Sequence, residues 1–167
     1  LEEKEGLQSF YGHFPILENF ELQIKEKQAS FNPKSRATLV QALESQYKTI
    51  DVSEATSFNI ASLSEANTFT ITTGHQLNLF TGPLYFLYKI FSVINLTEKL
   101  KAKYPKFNFV PVYWMATEDH DFEEINYFNF KGQKVQWNRD ASGAVGELNL
   151  DELDAVFQVF ANQLNKT

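Results

Sequence analysis

The spacing of apolar positions changes once along this chain, at Thr68. Before it the pattern is helical and polar. Glu18 to Ser30 reads as a helix, and Asn32-Pro33 marks the start of another, with Asn32 as cap and Pro33 in the first turn. Leu39, Val40, Leu43 and Tyr47 recur at helical spacing and predict one buried stripe. Ser53 is placed to cap a third, short helix bearing Phe58, Ala61 and Leu63. From Thr68 to Thr73 the residues are β-branched and aromatic, which predicts a strand. Gly74 to Gly82 reads as a nine-residue loop, and a long apolar helix follows from Pro83 to about Tyr104, capped by Thr81 or Gly82 with Pro83 at its first position. Leu84, Leu87, Tyr88, Phe91 and Ile94 make one apolar face of that helix and Phe86, Ile90 and Val93 another, so burial on two sides is expected.

A second apolar run, Phe109 to Met115, predicts a strand covered on both faces, as in a parallel sheet, with Pro111 near its start or at an edge. Asn126–Phe130, Lys131-Gly132 and Gln133–Asn138 read as a hairpin. Asp151 is placed to cap a last helix carrying Leu153, Val156, Phe157, Phe160 and Leu164. The expected architecture is α/β: residues 1–67 a helical segment, residues 68–167 a parallel strand–helix–strand core with a hairpin and a C-terminal helix. A crossover of this kind is right-handed and brings the carboxyl ends of both strands to one edge of the sheet, where open α/β sheets bind ligands.

Composition narrows the classes. With 167 residues, 43% hydrophobic, the chain suits a globular fold rather than a disordered or fibrous one. A formal charge of −6 argues against a nucleic-acid partner, and Lys89, Ser92 and Asn95 interrupt the longest apolar stretch too often for a membrane span. Cysteine is absent, which excludes thiolate metal sites and cysteine nucleophiles from this segment. Leu1 to Gly6 has neither the basic start nor the apolar run of a secretory signal, so a cytoplasmic protein is expected, and the Leu start suggests a piece of a longer one.

Two polar segments leave the predicted ligand edge. The first, Gly74-His75-Gln76 through Thr81-Gly82, has a glycine at each end and a helix N-terminus behind it, which suits an anion; an ordinary connection explains it equally well. Lys89 lies about 9 Å into that helix and leans toward the loop, to hold a ligand or to pair with an acid. The second holds Glu118, Asp119, His120 and Asp121. If strand geometry persists there, Glu118 pairs with His120 and Asp119 with Asp121, a set able to do acid–base work, orient an amine or bind a cation. Glu123 and Glu124 fit the ordinary acidic start of a helix.

Thr72 to Lys89 (TTGHQLNLFTGPLYFLYK) followed by Pro111 to Asn126 (PVYWMATEDHDFEEIN) resembles the bacillithiol-biosynthesis cysteine-adding enzymes. The likeness is close from about Thr68 to Asn126 and looser on the flanks, and it implies an N-terminal fragment of a bacterial, cytoplasmic protein about three times as long. It implies a Rossmann-like core whose sheet is incomplete here, a coiled coil and a homodimer in the full-length protein, and a reaction joining cysteine to glucosaminyl-malate. The candidate substrate- or nucleotide-binding residues are Gly74, His75, Gln76, Asn78, Thr81, Gly82, Tyr85 and Lys89; the candidate catalytic residues are Glu118, Asp119, His120 and Asp121. The family commonly has Gln at the position of His75, so a polar contact is the role carried over to it.

The implied chemistry is amide formation on a carboxylate activated by ATP or another nucleotide, with magnesium. The helix start after Gly82 would hold phosphate, and His120 or Asp121 would accept the amine proton. Two other classes remain at this point: a non-catalytic binding domain, and a metal-dependent hydrolase using Asp119, His120 and Asp121. Both apolar faces of the long helix need cover, so the chain alone is expected to self-associate or to be only marginally stable.

Overall fold

The computed structural model describes residues 5–164. Helices α1 (Phe20–Ser30), α2 (Pro33–Tyr47) and α3 (Glu54–Ser62) precede strand β1 (Thr68–Gln76). Helix α4 (Leu84–Lys103) leads to β2 (Asn108–Ala116), and β1 and β2 form a two-stranded parallel sheet. The short helix α5 (Phe122–Ile125), the antiparallel pair β3 (Tyr127–Phe130) and β4 (Gln133–Gln136), and helix α6 (Leu153–Leu164) complete the order. The chain packs as two compact units, one built on Leu1–Ile71 and Asn95–Pro111, the other on Thr72–Ile94 and Val112–Thr167.

In the first unit the helix starts follow from their caps. The Asn32 side chain accepts from the Lys34 N–H at 2.8 Å, and Ser53 Oγ accepts from Thr56 at 3.2 Å. The core is Ile24, Leu100 and Phe109, with Phe20, Phe69, Ile71 and Phe107 packed around them. Arg36 fixes α2 through backbone acceptors, donating to the carbonyls of Leu63 (3.0 Å) and Thr68 (2.9 Å). The expected α2 stripe is only half-buried at Val40, Leu43 and Tyr47, while Leu39 faces solvent. Leu63, just beyond α3, is buried, whereas Phe58 on α3 is exposed. The Asn108 N–H donates to the Asn67 carbonyl, which sets the parallel register where β1 begins.

In the second unit Phe122, Ile125, Val135, Trp137 and Val156 form the core. The hairpin turns through Lys131 (φ 49°) and Gly132 (φ 76°), two successive positive φ values of the kind a two-residue turn requires. Helix α6 starts at Leu153, after Glu152 at φ 66°, so Asp151 lies outside it; the Asp151 carbonyl instead accepts from the Trp137 indole at 3.0 Å.

Four expectations about the sheet region are corrected. β1 runs on through Gly74, His75 and Gln76, so the following connection is shorter than nine residues. α4 begins at Leu84, one residue later than expected, and the Pro83 carbonyl accepts from Phe86 N–H at its start. Its two apolar faces are not equally covered: Phe86, Ile90 and Val93 are half-buried, whereas Leu84 (66% exposed), Leu87, Tyr88 (65%), Phe91 and Ile94 are open. Likewise β2 buries Phe109 and Val110 but leaves Trp114 and Met115 exposed. Helical periodicity identifies a face; what covers it is decided elsewhere in the fold.

Candidate functional site

All the candidate residues belong to the second unit. Gly74 lies inside β1 where the two strands approach closely: a Cβ at this position would lie 3.0 Å from the Trp114 carbonyl oxygen and 3.1 Å from Trp114 Cβ, so a larger residue would require the neighbouring strand to give way by a few tenths of an ångström. The Gly74 carbonyl accepts from Lys89 Nζ at 3.0 Å, as the lean of a helical side chain toward its N-terminus allows. Among the described residues no carboxylate lies within ion-pair distance of Lys89, so the expectation of an acidic partner is replaced by a carbonyl, and its Nζ also lies 5.6 Å from the centre of the Tyr85 ring.

His75 Nε2 lies 2.6 Å from the Tyr85 hydroxyl, and its Nδ1 lies 3.1 Å from both the Gln76 carbonyl and the Asn78 amide. The tautomer is therefore coupled: if Nδ1 accepts from Asn78, Nε2–H donates to Tyr85, and the reverse arrangement turns the hydroxyl round. Asn78 also donates to the Gln76 carbonyl at 3.0 Å, which closes the loop on itself. Phe80 sits at φ 49°, ψ 44°, held by the rings of Phe128, Phe157 and Phe160 at 4.8–5.1 Å. Gly82 follows at φ 61°, ψ −152°, a conformation essentially confined to glycine. The side chain of Thr81 lies outside the described part of the structure.

The second segment is not an extension of β2. The strand ends at Ala116, and Asp119 then folds back so that its Oδ1 accepts from the Asp121 N–H at 3.0 Å. This replaces the alternating pairs expected from strand geometry: an aspartate that can bond two residues ahead favours the turn. Glu118, His120 and Asp121 point into solvent, and Asp121 precedes α5 without a side-chain cap bond. No group of three or more His, Asp or Glu among the described residues is arranged to hold a metal ion.

Gln76 joins the two segments. Its Nε2 donates to Glu124 Oε2 at 2.9 Å. Glu124 thus has a partner that its reading as an ordinary helix-start acid did not include. The Asp121 N–H, and after it Gln76, hold the Asp119 carboxyl below its ordinary value of 3.8. The folded pKa is depressed, so the order these bonds lend the loop is present above the unfolded value and is lost as pH falls through the folded one. Gln76→Ala should therefore move the Asp119 titration midpoint upward. Carboxyl ¹³C NMR reads this directly, and an unchanged midpoint would show that Gln76 does not reach Asp119 in solution.

The sequence reading missed one contributor. The short helical turn Val145–Glu147 lies against the acidic loop, with Val145 N–H on the Asp119 carbonyl (2.7 Å) and Gly146 N–H on the Thr117 carbonyl (2.9 Å). The only available signal was a glycine in a featureless stretch.

The arrangement can be set beside known proteins. Residues 1–167 match the family described as "Bacillithiol biosynthesis BshC, N-terminal Rossmann-like domain". Among curated relatives, each named "Putative cysteine ligase BshC", the chain is 58% identical to that of Flavobacterium johnsoniae over 167 residues, covering 100% of this chain and 32% of the relative. It is 58% identical to that of Christiangramia forsetii (98% and 31%) and 33% identical to that of Staphylococcus saprophyticus (95% and 30%). The chain thus spans about a third of the length of the curated relatives it matches. Among the described residues no helix is long and apolar enough to cross a membrane.

Proposed function

Since this chain belongs to the bacillithiol-biosynthesis BshC family, as its N-terminal Rossmann-like domain, we propose that it forms part of a cytoplasmic, homodimeric ligase that joins cysteine to glucosaminyl-malate through an amide bond. The observation that supports this reading is the Gln76 side chain, whose bond to Glu124 ties the end of β1 to the chain just past the acidic loop. A substrate with both an anionic and an amine end needs such a pair of neighbours: donors on one side, carboxylates on the other.

In this reading Lys89, held near the loop by the Gly74 carbonyl, and the start of α4 behind Gly82 hold phosphate or carboxylate oxygens. ATP or another nucleotide, bound there, would turn the substrate carboxylate into one with a good leaving group. Magnesium would be carried chiefly by the phosphates, as is usual for that ion. Tyr85 and Asn78, held by His75, present further polar contacts along the same edge. On the other side Asp119 keeps the loop folded, while His120 and Asp121 stand exposed to accept the proton released by the attacking amine.

The decisive measurement uses the full-length protein with cysteine, glucosaminyl-malate and ATP. His120→Ala and Asp121→Asn should each leave the melting curve in place, and the one that carries the proton should lose about 100-fold in kcat. If both variants turn over like the parent, this loop performs no proton transfer and the chain is better read as a binding domain.

A further inference from the structure

The acidic loop is held at a point far from it in sequence, and the geometry points to the turn Val145–Glu147 as the element that positions it for chemistry. This rests on the functional reading above. Two backbone donors from adjacent residues, Val145 and Gly146, bond two carbonyls of the loop, Asp119 at 2.7 Å and Thr117 at 2.9 Å. Two bonds from successive residues fix both the height and the tilt of the loop, where one alone would leave it free to pivot.

Gly146 is what allows the approach. A Cβ there would lie 2.5 Å from Thr117 Cβ, 3.0 Å from the Thr117 oxygen and 3.1 Å from Thr117 Cγ2. Contacts under 3 Å are not tolerated, so any other residue pushes the turn off the loop. Gly146 does not adopt a positive φ, unlike Gly132 and Gly143, so space rather than backbone conformation calls for glycine here. The turn is itself anchored, because Val145 and Leu148 pack against the core formed by Phe122, Ile125, Val135, Trp137 and Val156. Phe122 and Ile125 follow directly after Asp121. The loop is therefore fixed at its exit by its own chain and in its middle by the turn, and both fixings lead to one core.

Val145 and Gly146 are positioning residues in this account, since they act through the backbone of the loop. In the full-length protein, Gly146→Ala should speed amide exchange across residues 117–121 and lower kcat at least about tenfold, the scale at which small misplacements act. KM for the nucleotide, held by the other segment, should change less than twofold. Thr117→Gly in the same chain removes Cβ and Cγ2 and should restore most of the turnover, which general destabilisation would not allow. Val145→Pro deletes the N–H that reaches Asp119, at a first helical position where proline is accommodated, and keeps part of the apolar contact with the core; it should reproduce the loss should Gly146→Ala not fold. Unchanged exchange in the variants overturns the inference. So does full turnover of Gly146→Ala when His120→Ala or Asp121→Asn, made separately, abolishes it. Full turnover in both of those variants sinks the functional reading instead, whatever Gly146 does.

Discussion

Gly82→Ala is expected to destabilise the chain by about 3 kcal/mol, combining backbone strain with overpacking. Two causes act at one position. The backbone at φ 61°, ψ −152° excludes L side chains, and the new Cβ would sit 2.7 Å from Asn78 Cβ and 2.8 Å from Asn78 Cγ. Asn78 has little freedom to yield, because its amide is engaged by His75 Nδ1 and the Gln76 carbonyl. Displacing it would also release the ring that orients Tyr85. The two causes separate in a double-mutant cycle. Asn78→Gly, itself costly through the lost amide bonds, should abolish the steric part of the Gly82→Ala penalty and leave the conformational part. In the full-length protein Gly82→Ala should raise KM for the ligand held at this edge. A Gly82→Ala chain that melts with the parent would mean the loop adopts another path in solution.

Phe109→Ala should cost about 3–5 kcal/mol, the range for emptying a large buried aromatic site. The ring is 1% exposed and lies between Ile24 and Leu100, with the Phe69 ring 6.2 Å away. For a chain of this size each kcal/mol moves the melting temperature by about 2–4 °C, so a fall of about 10 °C is expected. Phe109→Leu should recover much of it, since Leu retains most of the apolar volume. A loss confined to a degree or two would show that the site collapses around the gap, contrary to its close packing.

The contrast between the two positions shows what was legible beforehand. Phe109 stands out as the start of an apolar run, and local signals also placed Asn32, Ser53, the β-branched residues from Thr68 and the Lys131-Gly132 turn. Each acts within a few residues of itself. Gly74 looked like the beginning of a loop because its reason for being glycine is Trp114, forty positions away. Asp119 looked like part of an alternating set, but its side chain closes a turn on the Asp121 N–H instead. The strand–helix–strand order that carries the two polar segments was readable. The clasp at Gln76 and the support from Val145 and Gly146 were not, since no spacing rule links residues so far apart.

The open face of α4 has a consequence in mass-action terms. Leu84, Leu87, Tyr88, Phe91 and Ile94 form a ridge only in the folded helix; in the unfolded chain they are scattered. Whatever covers that ridge binds one state and not the other, and so adds RT ln(1 + [L]/Kd) to the apparent stability. A melting temperature measured on this chain is then a function of what shares the solution with it, its own concentration included. Stabilities of variants are comparable only when that concentration is held fixed.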